Sequence, residues 1–169
     1  MPIHIFDTFN DPSDITGTTV ASGVNDADQI VGRYRDATGT PHGFLLSGGT
    51  YTALDDPFAA GGATGGTFAN GINAKGQIVG DYFNAVGSHG FLLSGGSYTT
   101  IDDPFAIPGN TLASGINDMG QIVGQYTDPD LHQHGFLYSG GNYFTFDDPL
   151  GTAVTRATDI NNIGQIVGN

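Results

Sequence analysis

The stretch Gly115-Ile-Asn-Asp-Met-Gly-Gln-Ile-Val-Gly124 decides how this chain folds. It recurs as Gly71-Ile-Asn-Ala-Lys-Gly-Gln-Ile-Val-Gly80 and as Gly23-Val-Asn-Asp-Ala-Asp-Gln-Ile-Val-Gly32. A fourth copy runs Asp159-Ile-Asn-Asn-Ile-Gly-Gln-Ile-Val-Gly168. In each copy two short apolar runs flank a polar step of Asn, Asp and Gly. Those polar residues accept positive φ and β-branched residues suit strands, so each copy reads as a β-hairpin. Asn25, Asn73, Asn117 and Asn161 are expected to form the turn by bonding their own backbone.

Outward from the hairpin, other blocks repeat in fixed order. A polar step such as Arg35-Asp-Ala-Thr-Gly39 leads to His42-Gly-Phe-Leu-Leu-Ser-Gly-Gly49, which returns from His89 and from His134. After each Gly-Gly comes an aromatic strand: Tyr51-Thr-Ala-Leu-Asp-Asp-Pro57, Tyr98-Thr-Thr-Ile-Asp-Asp-Pro104 and Tyr143-Phe-Thr-Phe-Asp-Asp-Pro149. The His copies lie 47 and 45 residues apart, and the Asp-Asp-Pro copies keep that spacing. Phe6-Asp-Thr-Phe-Asn-Asp-Pro12 falls into register with the last block, so the chain opens on the final strand of a repeat. No 3.6-residue apolar period runs for any length and Gly recurs every few residues, so the fold class is all-β.

Four-stranded antiparallel repeats of this length predict a β-propeller-like array, with a β-trefoil-like fold as the alternative. The chain then forms a single repeat domain over 1–169, with a closing strand at 3–12, repeats at about 17–57, 66–104 and 111–149, and a partial repeat at 153–169. The partial repeat has three readings. The chain is a piece of a longer array, or its last blade is three-stranded beside the N-terminal strand, or the Gln165–Gly168 edge takes a strand from another copy.

The motifs Gly-Ile-Asn-x-x-Gly-Gln-Ile-Val-Gly-x-Tyr, His-Gly-Phe-Leu-x-Ser-Gly-Gly and Tyr-Thr-x-Ile-Asp-Asp-Pro resemble the HAF family of probable extracellular bacterial repeats, over nearly the whole chain from Phe6 to Gly168. Asp28 departs from the pattern where Gly76, Gly120 and Gly164 stand. The resemblance implies secretion, surface exposure and a repeat architecture, and it carries over no activity.

Composition limits function. The 169 residues include 28 Gly, no Cys and a formal net charge of −13, with four basic residues against 17 acidic ones. That balance excludes nucleic-acid binding and docking on an anionic membrane surface. No apolar run reaches the ~20 residues that span a bilayer, so no membrane insertion is expected. Met1-Pro-Ile-His-Ile-Phe6 lacks the basic and apolar regions of a signal peptide, which fits either a cytosolic protein or a mature or excised segment. Without Cys, disulfides, zinc thiolates and thiol catalysis are excluded.

Candidate ligand-binding residues are the triplicated His42, His89 and His134, Tyr51, Tyr98 and Tyr143, and Asp55, Asp102 and Asp147. The three imidazoles can converge as a metal set or each bond a neighbouring backbone. The Asp-Asp-Pro corners can hold Ca²⁺ or sugar hydroxyls, or simply cap a turn. The Tyr rings, with Phe44, Phe91 and Phe136, either pack between repeats or stack on pyranose faces. Leu131-His-Gln-His134 places two His on one face of a strand in one repeat alone. No catalytic residue, metal ligand set or cofactor is assigned, calcium at the corners being the one cation named. The sequence therefore predicts a non-enzymatic module that binds glycan or a surface polymer through repeated weak sites, whose avidity adds. The alternative is a self-assembling homo-oligomer joined through the N-terminal strand or the C-terminal edge.

Overall fold

A computed structural model describes residues 10–14, 17–150 and 154–169. Among them the chain is all-β, in consecutive antiparallel meanders. The first sheet holds β1 (Val20–Val24), β2 (Ile30–Arg35), β3 (Pro41–Ser47) and β4 (Thr50–Leu54). The second holds β5 (Gly66–Ile72), β6 (Ile78–Phe83), β7 (Ser88–Ser94) and β8 (Ser97–Ile101). The third holds β9 (Thr111–Ile116), β10 (Ile122–Thr127), β11 (Gln133–Ser139) and β12 (Asn142–Phe146), and a two-stranded sheet of β13 (Ala157–Ile160) and β14 (Ile166–Gly168) follows. Neighbours in sequence are neighbours in each sheet. A trefoil barrel pairs strands of different repeats, whereas here only the isolated bridges Ser88↔Asn110 and Gln133↔Val154 do so among the described residues. The expected closing strand 3–12 lies largely outside the described residues.

The local chemistry explains the meander. β3 and β4 join through Gly48 and Gly49 at φ 55° and 78°, a two-residue hairpin that requires residues at ease with positive φ. The β1–β2 turn carries Asp28 at φ 55° where the later turns carry Gly76, Gly120 and Gly164, and Asp28 makes the same backbone bond, to Asn25, that Gly76 makes to Asn73. Asp, like Asn, tolerates the left-handed region better than most side chains, so the departure leaves the turn intact. The Gly that closes each Gln-Ile-Val-Gly has a different cause. A bulge brings the preceding strand so near that a Cβ on Gly32, Gly80 or Gly124 would strike the carbonyl oxygens of Val20, Phe68 and Leu112.

The core lies between sheets. Side chains alternate along each strand, so every inner strand presents residues to both neighbours. Val31 and Leu54 of the first sheet pack with Ile78, Tyr82 and Phe91 of the second. Val79 and Ile101 pack in the same way with Ile122, Tyr126 and Phe136 of the third. Val123 then meets Ala157 and Ile160 of the two-stranded sheet. Phe44, Phe91 and Phe136 are fully buried at equivalent places.

A polar ladder ties the hairpins together at one rim of the array. The Nδ2 of Asn25 donates to the Asn73 carbonyl at 2.9 Å, that of Asn73 to the Asn117 carbonyl at 3.0 Å, and that of Asn117 to the Asn161 carbonyl at 3.1 Å. The same amides donate to Gln29, Gln77 and Gln121, while their Oδ1 atoms accept the backbone N–H groups of the turn. All four Asn bond their own turn as expected, and Asn25, Asn73 and Asn117 bond the next repeat as well.

Candidate functional site

The opposite rim carries the chemistry. β2 ends, β3 begins and β4 ends at that side of the first sheet, which brings Tyr34, His42 and Asp55 together. The His42 Nδ1 lies 2.8 Å from Asp55, the His89 Nδ1 2.7 Å from Asp102 and the His134 Nδ1 2.8 Å from Asp147. Each imidazole stacks on a tyrosine, with centroids 5.2 Å apart for Tyr34–His42, 4.9 Å for Tyr82–His89 and 5.0 Å for Tyr126–His134. Thus each sequence-predicted His joins the predicted Asp thirteen residues on, within its own repeat. The three imidazoles do not gather into one metal set among the described residues.

The second Asp of the first two corners, Asp56 and Asp103, is buried, and Asp148 makes the same bonds at an exposed position. Asp56, Asp103 and Asp148 accept the N–H two residues on, and their own N–H groups donate to Thr67, Thr111 and Thr155. Asp11 repeats this with Ser13 and Thr19. These are Asx turns that lock the link to the next sheet. Burial raises the carboxyls of Asp56 and Asp103 above the ordinary value, although the N–H groups of Phe58 and Phe105 oppose it. The first Asp of each corner stays open, with side chains 52%, 39% and 51% exposed at Asp55, Asp102 and Asp147.

The tyrosines after the Gly-Gly turns pack on the buried phenylalanines, Tyr51 on Phe44, Tyr98 on Phe91 and Tyr143 on Phe136, and Tyr98 and Tyr143 lie between sheets. The Tyr51 hydroxyl is buried, and desolvation with the nearby Asp56 and Asp55 charges pushes Tyr98 up to about 12. Burial raises Tyr143 as well. These rings serve packing. The exposed rings are others: Phe144 on β12, and Phe58 and Phe105, which directly follow an Asp-Asp-Pro corner and are 65% and 64% exposed. The Phe58 ring stands 6.4 Å from Tyr82, which itself lies on His89. Sequence reading passed over Phe58 and Phe105, and the signal was the repeated Asp-Asp-Pro-Phe at 55–58 and 102–105.

The loop before each His differs. In the first repeat Asp36 approaches the His42 Nε2 at 3.4 Å, and in the third Asp128 approaches the His134 Nε2 at 3.1 Å. The second repeat has a loop one residue shorter with Asn84 in that place, and the His89 Nε2 is buried without a partner among the described residues. Burial pulls His42 and His134 down, but the carboxylates on both ring nitrogens outweigh it and raise both. The Thr38 hydroxyl, with backbone N–H groups, holds Asp36 down at about 2, and the His132 N–H is foremost in lowering Asp128.

Asp81 stands apart on β6, buried between the second and third sheets. Its carboxyl accepts the Ala113 N–H and the Asn70 amide, both at 2.8 Å, yet desolvation raises it to about 7. Nothing in the sequence marked it, because Arg33 and Gln125 hold the equivalent places.

No family model, curated protein or solved structure matches the chain.

Proposed function

We propose that this protein is a non-enzymatic binding module, a propeller-like array whose His–Asp rim recognises carbohydrate at the junctions between consecutive sheets. The observation that carries this reading is an exposed phenylalanine beside a tyrosine–histidine stack that orients an exposed carboxylate. Phe58 stands 6.4 Å from Tyr82, whose stacked His89 holds Asp102, and the next repeat has the same stack of Tyr126, His134 and Asp147, with the exposed Phe105 at the equivalent place in sequence. An apolar ring face complements the C–H face of a pyranose. A fixed carboxylate accepts hydroxyls in charge-assisted hydrogen bonds. Two or more such weak sites at fixed spacing gain avidity on a polymer. The secretion and surface placement that the HAF resemblance implies suit such a role.

The test is a glycan array followed by titration calorimetry on the best oligosaccharide. The expected result is binding that weakens at least tenfold in the Phe58→Ala/Phe105→Ala double variant, whose fold is kept because both rings are exposed. Absence of affinity for every oligosaccharide class would refute the reading.

A second reading, self-assembly, rests on the fourth sheet. Among the described residues β14 pairs on one side alone, and an opening of about 340 Å³ beside it is lined by Phe146, Ala157, Ile166 and Val167. An unpaired strand edge beside apolar surface is a place for strand addition by another copy. Light scattering with and without residues 1–12 separates the two readings. A monomer in both favours the binding module, and an oligomer that dissociates on truncation favours assembly.

A further inference from the structure

We propose that Asp128, His132 and His134 form a binding site for one divalent transition-metal ion of the zinc class. One ligand atom from each side chain lies within 4.8 Å of the other two. The Asp128 Oδ2 is 3.1 Å from the His134 Nε2 and 3.6 Å from the His132 Nδ1. Bonds of ~2.0–2.1 Å in a tetrahedral site place ligand atoms roughly 3.3 Å apart, so two of the three separations stand near that value before any ion enters. The remaining adjustment falls on His132, whose side chain is 54% exposed and free to swing inward.

The supporting shell is already in place. The Asp128 Oδ1 accepts the N–H groups of Asp130 and His132, both at 2.9 Å, which turns Oδ2 toward the imidazoles. Asp147 engages the His134 Nδ1 at 2.8 Å and Tyr126 stacks on the ring, which together fix its orientation. A histidine that gives one ring N–H to a carboxylate presents the other nitrogen as a metal ligand, the usual arrangement in zinc sites. Two imidazole nitrogens and one carboxylate oxygen select zinc and its neighbours over calcium or magnesium, which take oxygen alone. Three protein ligands at an exposed rim leave a fourth position for water or for an outside ligand.

The chain supplies its own control. The first repeat has the same loop with Asp36 and His42, but Thr40 where the third has His132. Both loops close by the same bond, Asp36 N–H to the Thr40 carbonyl and Asp128 N–H to the His132 carbonyl. His132→Thr therefore installs a residue that this backbone already accommodates.

The experiment titrates the full chain with zinc chloride by calorimetry and with cobalt chloride by visible absorption. The expected result is one zinc per chain, a cobalt spectrum of tetrahedral intensity, and at least a tenfold loss of affinity in both His132→Thr and Asp128→Asn. The variants keep the wild-type melting temperature without metal, and zinc raises that temperature in the wild type alone. Two results would overturn the proposal. One is the absence of saturable zinc binding. The other is binding with unchanged stoichiometry and affinity in His132→Thr, which would assign the metal to scattered surface carboxylates.

Discussion

The loop of the first repeat at 36–42 and that of the third at 128–134 share a backbone and differ in what they present. Both hang an Asp beside a rim histidine, and both place their fourth residue at positive φ. In the first that residue is Gly39 at φ 83°, followed by Thr40; in the third it is Leu131 at φ 67°, followed by His132. The second repeat shortens the loop and loses the Asp. What persists in all three is the part that sheet packing requires. Between these two loops, what varies lies at one rim, where a side chain can change without disturbing the neighbour. Local variation on a fixed frame is how one repeat acquires chemistry the others lack.

The shared frame should fail equally wherever it is broken. Phe44→Ala and Phe136→Ala remove equivalent, fully buried rings, and each should cost about 3–5 kcal/mol in urea unfolding. Unequal losses would show that the first and third repeats are not packed alike. The Asn ladder gives a smaller and graded effect. Asn117→Ala orphans two N–H groups of its turn and cuts the bond to Asn161, so it should cost about 1–3 kcal/mol. Asn161→Ala removes only contacts within its own turn and should cost less.

Asp81 sharpens the contrast with the repeats that hold Arg33 and Gln125 at its place. A carboxyl at 3.8 when unfolded and about 7 when folded binds more protons in the native state. Stability therefore falls as pH rises from about 4 to about 7, by up to roughly 1.4 kcal/mol per pH unit. In Asp81→Asn that slope should become shallower while the Ala113 N–H keeps an acceptor. Melting temperatures across this range read the effect, and an unchanged slope would assign it to other groups. The smallest effect is expected at Leu131→Gly, which places in the third loop the residue the first loop uses. Release from a left-handed conformation should raise stability by about 1 kcal/mol.

Much of the frame was legible because its causes are local. Asn-Asp-x-Gly turns, Gly-Gly hairpins and the alternation around Gln-Ile-Val-Gly each specify a strand or a turn within a few residues, and repetition multiplied the signal. The pairing of His42 with Asp55 was half legible. Both residues stood out, but only the antiparallel register of β3 and β4 brings positions thirteen apart into contact. The exposed rings were harder to find, since Tyr51 and Phe58 look alike in a sequence and differ only in which side of a sheet or link they occupy. Asp81 was illegible, because its burial depends on Asn70 and Ala113 and no repeated motif contains it. The Asn amides were read as turn formers, and their second donor, aimed at the next repeat, shows itself only once sheets are stacked.

That ladder also bears on how the molecule comes apart. Its rungs join residues only 44 or 48 positions apart, one repeat to the next. Stability then sums over nearest neighbours, as in a one-dimensional chain of coupled units. Disturbance of one unit then reaches its immediate neighbours before any distant one. Amide protons at the centre of the second and third sheets, which pack against a sheet on either side, should be the last to exchange, and those of the two-stranded sheet β13–β14 among the first. Because these rungs link adjacent repeats only, damage spreads stepwise and the array erodes instead of shattering.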